Sequence, residues 1–145
     1  MPDIFTPATR SHIMSHIRGK DTKPEMIVRK HLHSNGLRYR LHVKGMAGRP
    51  DLVLPRYRTV VFVHGCFWHC HEGCFRLPNS RQDFWAHKLG RNVANDIRQQ
   101  AELRAEGWRV LTVWECELKP AVREATLATL VREMDGPPDI EDIAY

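Results

Sequence analysis

At 145 residues the chain is long enough for one domain with a sizeable core. No apolar run approaches the roughly 20 residues of a membrane span, and residues 1–10 hold no continuous apolar segment, so neither a membrane protein nor a signal peptide is expected. The net charge of +5 is uneven: residues 1–59 carry twelve Lys/Arg against four Asp/Glu, which points to a polyanion such as nucleic acid as partner.

Taken in order, residues 1–21 read as a polar, basic arm with a short helix around 11–17. A domain is expected over 22–136, followed by an acidic tail at 137–145. Thr22-Lys23-Pro24-Glu25 starts a helix: Thr22 caps, Pro24 suits the first turn and Glu25 completes a capping box. Gly36 stops that helix after about Ser34. In residues 37–44, Leu37, Tyr39, Leu41 and Val43 alternate with Arg38, Arg40, His42 and Lys44, the period of a half-buried strand with a basic face. Two glycines and a proline turn the chain over 44–50. Strands are expected over 51–54 and 59–63, the second being the more apolar.

Residues 77–80 form another turn, with Asn79 or Ser80 placed to cap a helix over 82–106. Gly90 is a possible break and Gly107 the stop. Residues 108–114 (WRVLTVW) read as a fourth strand, and 122–134 carry apolar residues at helical spacing. The expected fold is α/β, a mixed sheet flanked by helices.

Residues 64–74 (HGCFWHCHEGC) hold three of the four cysteines and three of the nine histidines. A cytosolic chain keeps its thiols reduced, so this spacing points to a metal rather than to disulfides. Zinc takes four thiolate or imidazole ligands in structural sites. Cys66, Cys74 and Cys116 supply three. The fourth is His71 or Cys70, between which spacing does not choose. The alternative is free buried thiols beside solvent histidines.

Asp51, after Gly48-Arg49-Pro50, opens one strand, and the next delivers His64. Many nucleases hold a divalent cation with a Pro-Asp and an acid-x-Lys on the following strand. Here Phe62 stands in place of the second acid and His64 in place of the lysine. One carboxylate with phosphate oxygens suits Mg²⁺, whereas a lone Pro-Asp is ordinarily a turn acid. His69 can take a proton from an attacking water or add to the metal ligands. Asp96 could orient it. The capping box accounts fully for Glu25. Phe67, Trp68 and Trp85 are either core residues or a wedge between base pairs.

Together these stretches resemble the very short patch repair (Vsr) DNA mismatch endonucleases. The resemblance runs through Arg10-Ser11 with Met14-Ser15, Thr22–Glu25, Leu37–Arg40, Gly48–Asp51, Val63–His69, Phe84-Trp85 with Lys88 and Asn92, and Gly107-Trp108 to Trp114–Leu118. It implies a restriction-endonuclease-like fold with a structural zinc, and Mg²⁺-dependent nicking of duplex DNA 5′ of the thymine in a T:G mismatch. Such mismatches arise by deamination of 5-methylcytosine, so a cytosine-5 DNA methyltransferase is the implied companion.

By the same resemblance Asp51 binds Mg²⁺ with the carbonyl of Val63. His69 is the general base, oriented by Asp96, while His64 and Glu25 support the site. Zinc is held by Cys66, His71, Cys74 and Cys116. Phe67, Trp68 and Trp85 insert beside the mismatch, and Met14 presses from the opposite groove. A monomer acting in the cytoplasm on nucleoid DNA is expected. The competing readings are a restriction-type nuclease cutting matched DNA and a non-catalytic, zinc-stapled DNA-binding module.

Overall fold

The computed structural model describes residues 22–135. The expected arm with Met14 and the short helix at 11–17, and the tail at 137–145, lie outside the described residues.

The first described helix, α1 (Lys23–Ser34), starts as its sequence dictates. Glu25 N–H donates to Thr22 Oγ1 at 3.4 Å and Thr22 N–H donates back to Glu25 Oε2 at 3.1 Å, the reciprocal pair of a capping box. At the other end Gly36 N–H bonds the His33 carbonyl and Leu37 N–H the Leu32 carbonyl. That closure needs a left-handed residue, and Gly36 supplies it at φ +77°. Glu25, Val28, Arg29 and Leu32 form the buried face, so two ionisable groups share a stripe with two aliphatic ones.

The half-buried strand expected over 37–44 is shorter than its alternation suggests. Only β1 (Arg40–Leu41) pairs, with β2 (Leu52–Leu54). Leu37 is buried, but Leu41 is 37% exposed. Two physical causes are visible. The partner strand is flanked by Pro50 and Pro55, which have no N–H for a ladder. His42 then takes φ +51° and turns the chain away. Gly48, at φ +71°, lies in the turn that follows, where a Cβ would meet Gln99 and Phe62 at 3.2 Å. That turn delivers Asp51.

A 3-10 turn (Pro55–Tyr57) and Arg58, at φ +50°, connect β2 to the antiparallel β3 (Thr59–His64). The chain leaves through residues 65–81 and returns along α2 (Gln82–Ala105), one unbroken helix. Gly90 causes no break; it faces open space. Nor does Asn79 or Ser80 cap the helix. Arg81 occupies the N-cap in a left-handed conformation without a side-chain hydrogen bond. Gly107, at φ +92°, turns the chain from α2 into β4 (Arg109–Trp114), which runs parallel to β3 through six residue pairs. A 3-10 turn (Glu115–Leu118) and α3 (Arg123–Asp135) follow.

The sheet order is β1-β2-β3-β4, antiparallel except for the last pair. Alternation along its strands feeds two cores. Leu52, Leu54, Val61 and Val113 pack with Val28 and Leu32 of α1 and Leu127, Leu130 and Met134 of α3. Val53, Val60 and Phe62 face the other way, against Leu103 of α2. This is the expected mixed α/β sheet, covered by α1 and α3 on one face and α2 on the other. The parallel register pairs His64 with Trp114, so the two strands end level. The two clusters of His, Cys and Asp side chains gather near that end.

Candidate active site and metal centre

Two residues beyond the His64–Trp114 pair, each strand places a cysteine: Cys66 after β3 and Cys116 after β4. Their level endings bring together residues 50 apart in sequence. The donor atoms of Cys66, His71, Cys74 and Cys116 all lie within 4.8 Å of one another. His71 Nδ1 is 3.6 Å from Cys66 Sγ and 3.3 Å from Cys116 Sγ. A tetrahedral zinc with ordinary bond lengths requires a nitrogen–sulfur separation of about 3.6 Å. Three thiols and one imidazole therefore fit zinc in number, softness and spacing. Burial first, then the Cys74 and Cys66 thiols, push the Cys116 thiol up to about 12, the expected cost of crowding such groups without a cation. The His71 ring stacks on Trp114, centroids 4.1 Å apart and 11° from parallel.

Cys70 is not in this group. It sits at φ +53°, and burial followed by the Asp96 charge raises its pKa.

The loop that these residues tie down forms one wall of a second, separate cavity of about 420 Å³. Its lining includes Glu25, Asp51, Val63, His64, Trp68 and His69. Asp51 Oδ2 accepts a hydrogen bond from Val63 N–H at 2.6 Å. The described contact is thus with the Val63 amide; the expectation from sequence concerned its carbonyl. Burial pushes the Asp51 carboxyl up to about 7; the Val63 N–H opposes this and the neighbouring Glu25 carboxyl adds to it. Glu25 itself is 1% exposed, and its Oε1 is buried without a hydrogen-bond partner. Two carboxyls close together, one with an orphaned oxygen, are a poor arrangement for a protein alone and a good one for a divalent cation.

His69 Nδ1 lies 2.6 Å from Asp96 Oδ2 on α2. With Nδ1–H donating to that carboxylate, Nε2 is left as the free base. His64 stacks on His69 with ring centroids 3.7 Å apart and planes 5° from parallel. Burial first, then His69, push His64 down to about 4, so it stacks as a neutral ring. The donor atoms of His64, His69 and Asp96 also lie within 4.8 Å. A shared metal ion is nonetheless a poor fit, because parallel rings aim their lone pairs along separate planes. A proton-handling pair suits the geometry better.

The aromatics form an edge-to-face group. Phe67, Trp68 and Trp85 lie pairwise with centroids 5.1–5.9 Å apart. Asn92 Nδ2 donates to the Trp68 carbonyl at 3.3 Å, and Lys88 Nζ lies within 6.0 Å of the Trp68, Trp85 and Phe84 ring centroids.

The structure thus gathers Glu25, Asp51, Val63, His64 and His69, with Asp96 behind His69, while Met14 lies outside the described residues. The sequence marks Thr22 only as a helix cap and gives no part to Glu115, both of which line the cavity, or to Trp114, which packs on both His64 and His71. The adjacency Trp114-Glu115-Cys116 was the available signal for the last two.

The Asp51 environment yields a pH prediction. The folded protein holds a proton on Asp51 up to about pH 7, whereas the unfolded chain releases it near 3.8. Stability from this group is therefore full below about pH 4 and lost as pH rises through 7. Without Mg²⁺, Asp51→Asn should melt at a higher temperature than the unsubstituted protein at pH 8, and the gap should shrink towards pH 5. His64 acts oppositely, its contribution being lost as pH falls through about 4, but it is common to both proteins. Thermal melts across this range test the slope; a pH-independent gap contradicts it.

A family model described as "DNA mismatch endonuclease Vsr" matches residues 2–76. The type II nicking enzyme V.NmeAIP of Neisseria meningitidis is 48% identical over 138 residues, 92% of this chain and 97% of that protein. The type II nicking enzyme V.XorIIP of Xanthomonas oryzae is 52% identical over 120 residues, 81% of this chain and 88% of that protein. The DNA mismatch endonuclease Vsr of Escherichia coli is 45% identical over 121 residues, 82% of this chain and 77% of that protein.

Proposed function

Because the chain belongs to the Vsr DNA mismatch endonuclease family and is a DNA endonuclease, we propose that it nicks one strand of a duplex 5′ of the thymine in a T:G mismatch, with Mg²⁺. The observation that carries this reading is the His69–Asp96 pair, 2.6 Å apart, of which His69 lines the same cavity as Asp51 and Glu25. That pairing supplies a base and a cation pocket side by side, the two requirements of phosphodiester hydrolysis.

In this proposal Asp51 and the carbonyl of Val63 hold Mg²⁺. When bound, Mg²⁺ neutralises phosphate charge and polarises the scissile bond. His69 Nε2 receives the proton of the attacking water, and the Asp96 carboxylate holds the tautomer and stabilises the imidazolium that results. His64 packs against His69 as a neutral neighbour, and Glu25 adds a second carboxylate to the pocket. Phe67, Trp68 and Trp85 form the wedge beside the mismatch, with Met14 opposite. A wedge of this kind offsets base unstacking, which costs a few kcal/mol per step and less where pairing is already poor.

Zinc at Cys66, His71, Cys74 and Cys116 would be structural, with no position open to substrate. We read the sheet and its helices as a restriction-endonuclease-like core, acting as a monomer in the cytoplasm on nucleoid DNA. T:G pairs made by deamination of 5-methylcytosine would be the natural substrate, which links the enzyme to a cytosine-5 DNA methyltransferase. No described helix is long and apolar enough to cross a membrane.

The test is a nicking assay on duplexes that differ only at one pair, T:G or T:A, with Mg²⁺ and with EDTA. One nick 5′ of the mismatched thymine, lost with EDTA, is expected. Equal cutting of the T:A duplex would reassign the protein to a restriction-type activity, and double-strand breaks would exclude a nicking role.

A further inference from the structure

Arg29 is 8% exposed, and one helical turn before it Glu25 is 1% exposed. Their side chains approach to 3.6 Å, Arg29 Nη2 to Glu25 Oε2. The same nitrogen donates to His42 Nε2 at 3.3 Å. Ion pairs at this helical spacing are common on surfaces, where water screens them and they matter little. This pair is buried, so its charges are little screened, and its Glu25 member neighbours Asp51 on the cavity. Glu25 does not depend on Arg29 for its orientation alone, because Thr22 N–H also holds Oε2 at 3.1 Å. Arg29 therefore contributes charge more than geometry.

Glu25 and Asp51 alone would give the inner cavity two negative charges. Arg29 leaves one. Glu115, also on the lining, is exposed and screened by solvent. Mg²⁺ gives up its water reluctantly and is usually held by one or two carboxylates together with substrate phosphates. We propose that Arg29 is a positioning residue that cancels one buried carboxylate charge through Glu25, so that the cavity takes up its divalent cation only when a DNA phosphate completes the site. Cutting power is thereby confined to protein already seated on DNA. This rests on the reading of Asp51 as the cation ligand.

Mn²⁺ is the probe, titrated by calorimetry into zinc-loaded protein at pH 8, with and without a pre-nicked T:G duplex. Signal from the duplex alone is subtracted. The unsubstituted protein should bind Mn²⁺ about tenfold or more tightly with the duplex than without it. Arg29→Gln should bind Mn²⁺ about tenfold more tightly than the unsubstituted protein when both lack DNA, since removing a buried positive charge strengthens attraction for a divalent ion. Arg29→Lys, which keeps the charge, should stay near the unsubstituted value. A merely structural ion pair would lower the melting temperature of Arg29→Gln and leave its Mn²⁺ affinity unmoved; that result overturns the proposal. Equal Mn²⁺ affinity of the unsubstituted protein with and without DNA overturns it too, and decides the matter even if Arg29→Gln does not fold. Asp51→Asn separates the two readings. If it leaves DNA-dependent Mn²⁺ binding intact, the assignment of Asp51 fails and this inference falls with it. If it abolishes that binding while Arg29→Gln changes nothing, only the role of Arg29 fails.

Discussion

Asp51→Asn is expected to slow nicking of a T:G duplex by about a thousandfold or more, while affinity for the duplex stays within a few-fold or improves. A bound cation supplies several kcal/mol of transition-state charge stabilisation, and each ~1.4 kcal/mol is a factor of ten in rate. Asn keeps the shape of Asp51 and can still accept from Val63 N–H, which now bonds Oδ2 at 2.6 Å. The substitution therefore removes a charge and little else. It also relieves the crowding with Glu25 that helps to push the Asp51 carboxyl up to about 7, so the variant should be no less stable without Mg²⁺. Single-turnover nicking and a gel-shift titration on the same duplex check both halves. A rate within tenfold of the unsubstituted protein would remove Asp51 from the cation site, and parallel loss of binding would make it a DNA contact instead.

Cys116→Ala is expected to abolish zinc binding and nicking together, although it touches no group proposed to act in catalysis. Structural zinc sites contribute on the order of 10 kcal/mol to folding of the segments they tie, and the one proposed here would join the end of β4 to the loop that carries His69. Loss of one ligand should leave the helix content visible by circular dichroism, because α2 and the two apolar cores do not contain the cluster. Melting should fall by about 10 °C or more. Metal analysis of the purified protein should drop from about one zinc per chain to near none. Full zinc content, or full nicking without zinc, would contradict the assignment. Cys70→Ala is the natural control and should change neither, since Cys70 is outside the cluster.

Much of this was legible in the sequence for reasons that can be named. The capping box at Thr22 and Glu25 is a local interaction three residues long, and it formed as read. Asp51, His64 and His69 were visible because they sit at the ends of strongly apolar strands or directly after them. What stayed hidden depended on contacts across the sheet. The alternation over 37–44 promised a long strand, but a strand extends only as far as its partner, and Pro50 and Pro55 bound β2. Glu115 could be placed on the cavity only once the register paired His64 with Trp114. Arg29 looked like an ordinary helix cation, because a sequence shows the spacing of Glu25 and Arg29 but not that both are buried. The choice between His71 and Cys70 turned on backbone conformation, with Cys70 at φ +53° and outside the cluster.

The level ending of β3 and β4 has a consequence for the order of assembly. As the chain emerges from the ribosome, Asp51, His64 and His69 appear first and Asp96 some 27 residues after His69. The last thiol, Cys116, and the strand that places it appear only when four-fifths of the polypeptide has been made. A parallel partner separated by so long a crossover pairs late. Until it does, the loop bearing His69 has its contacts with α2 through Asp96 and Asn92 but not the Cys116 side of its cluster. On the proposed reading, a protein that breaks a DNA backbone gains Cys116, the last member of its metal group, only late in its own synthesis.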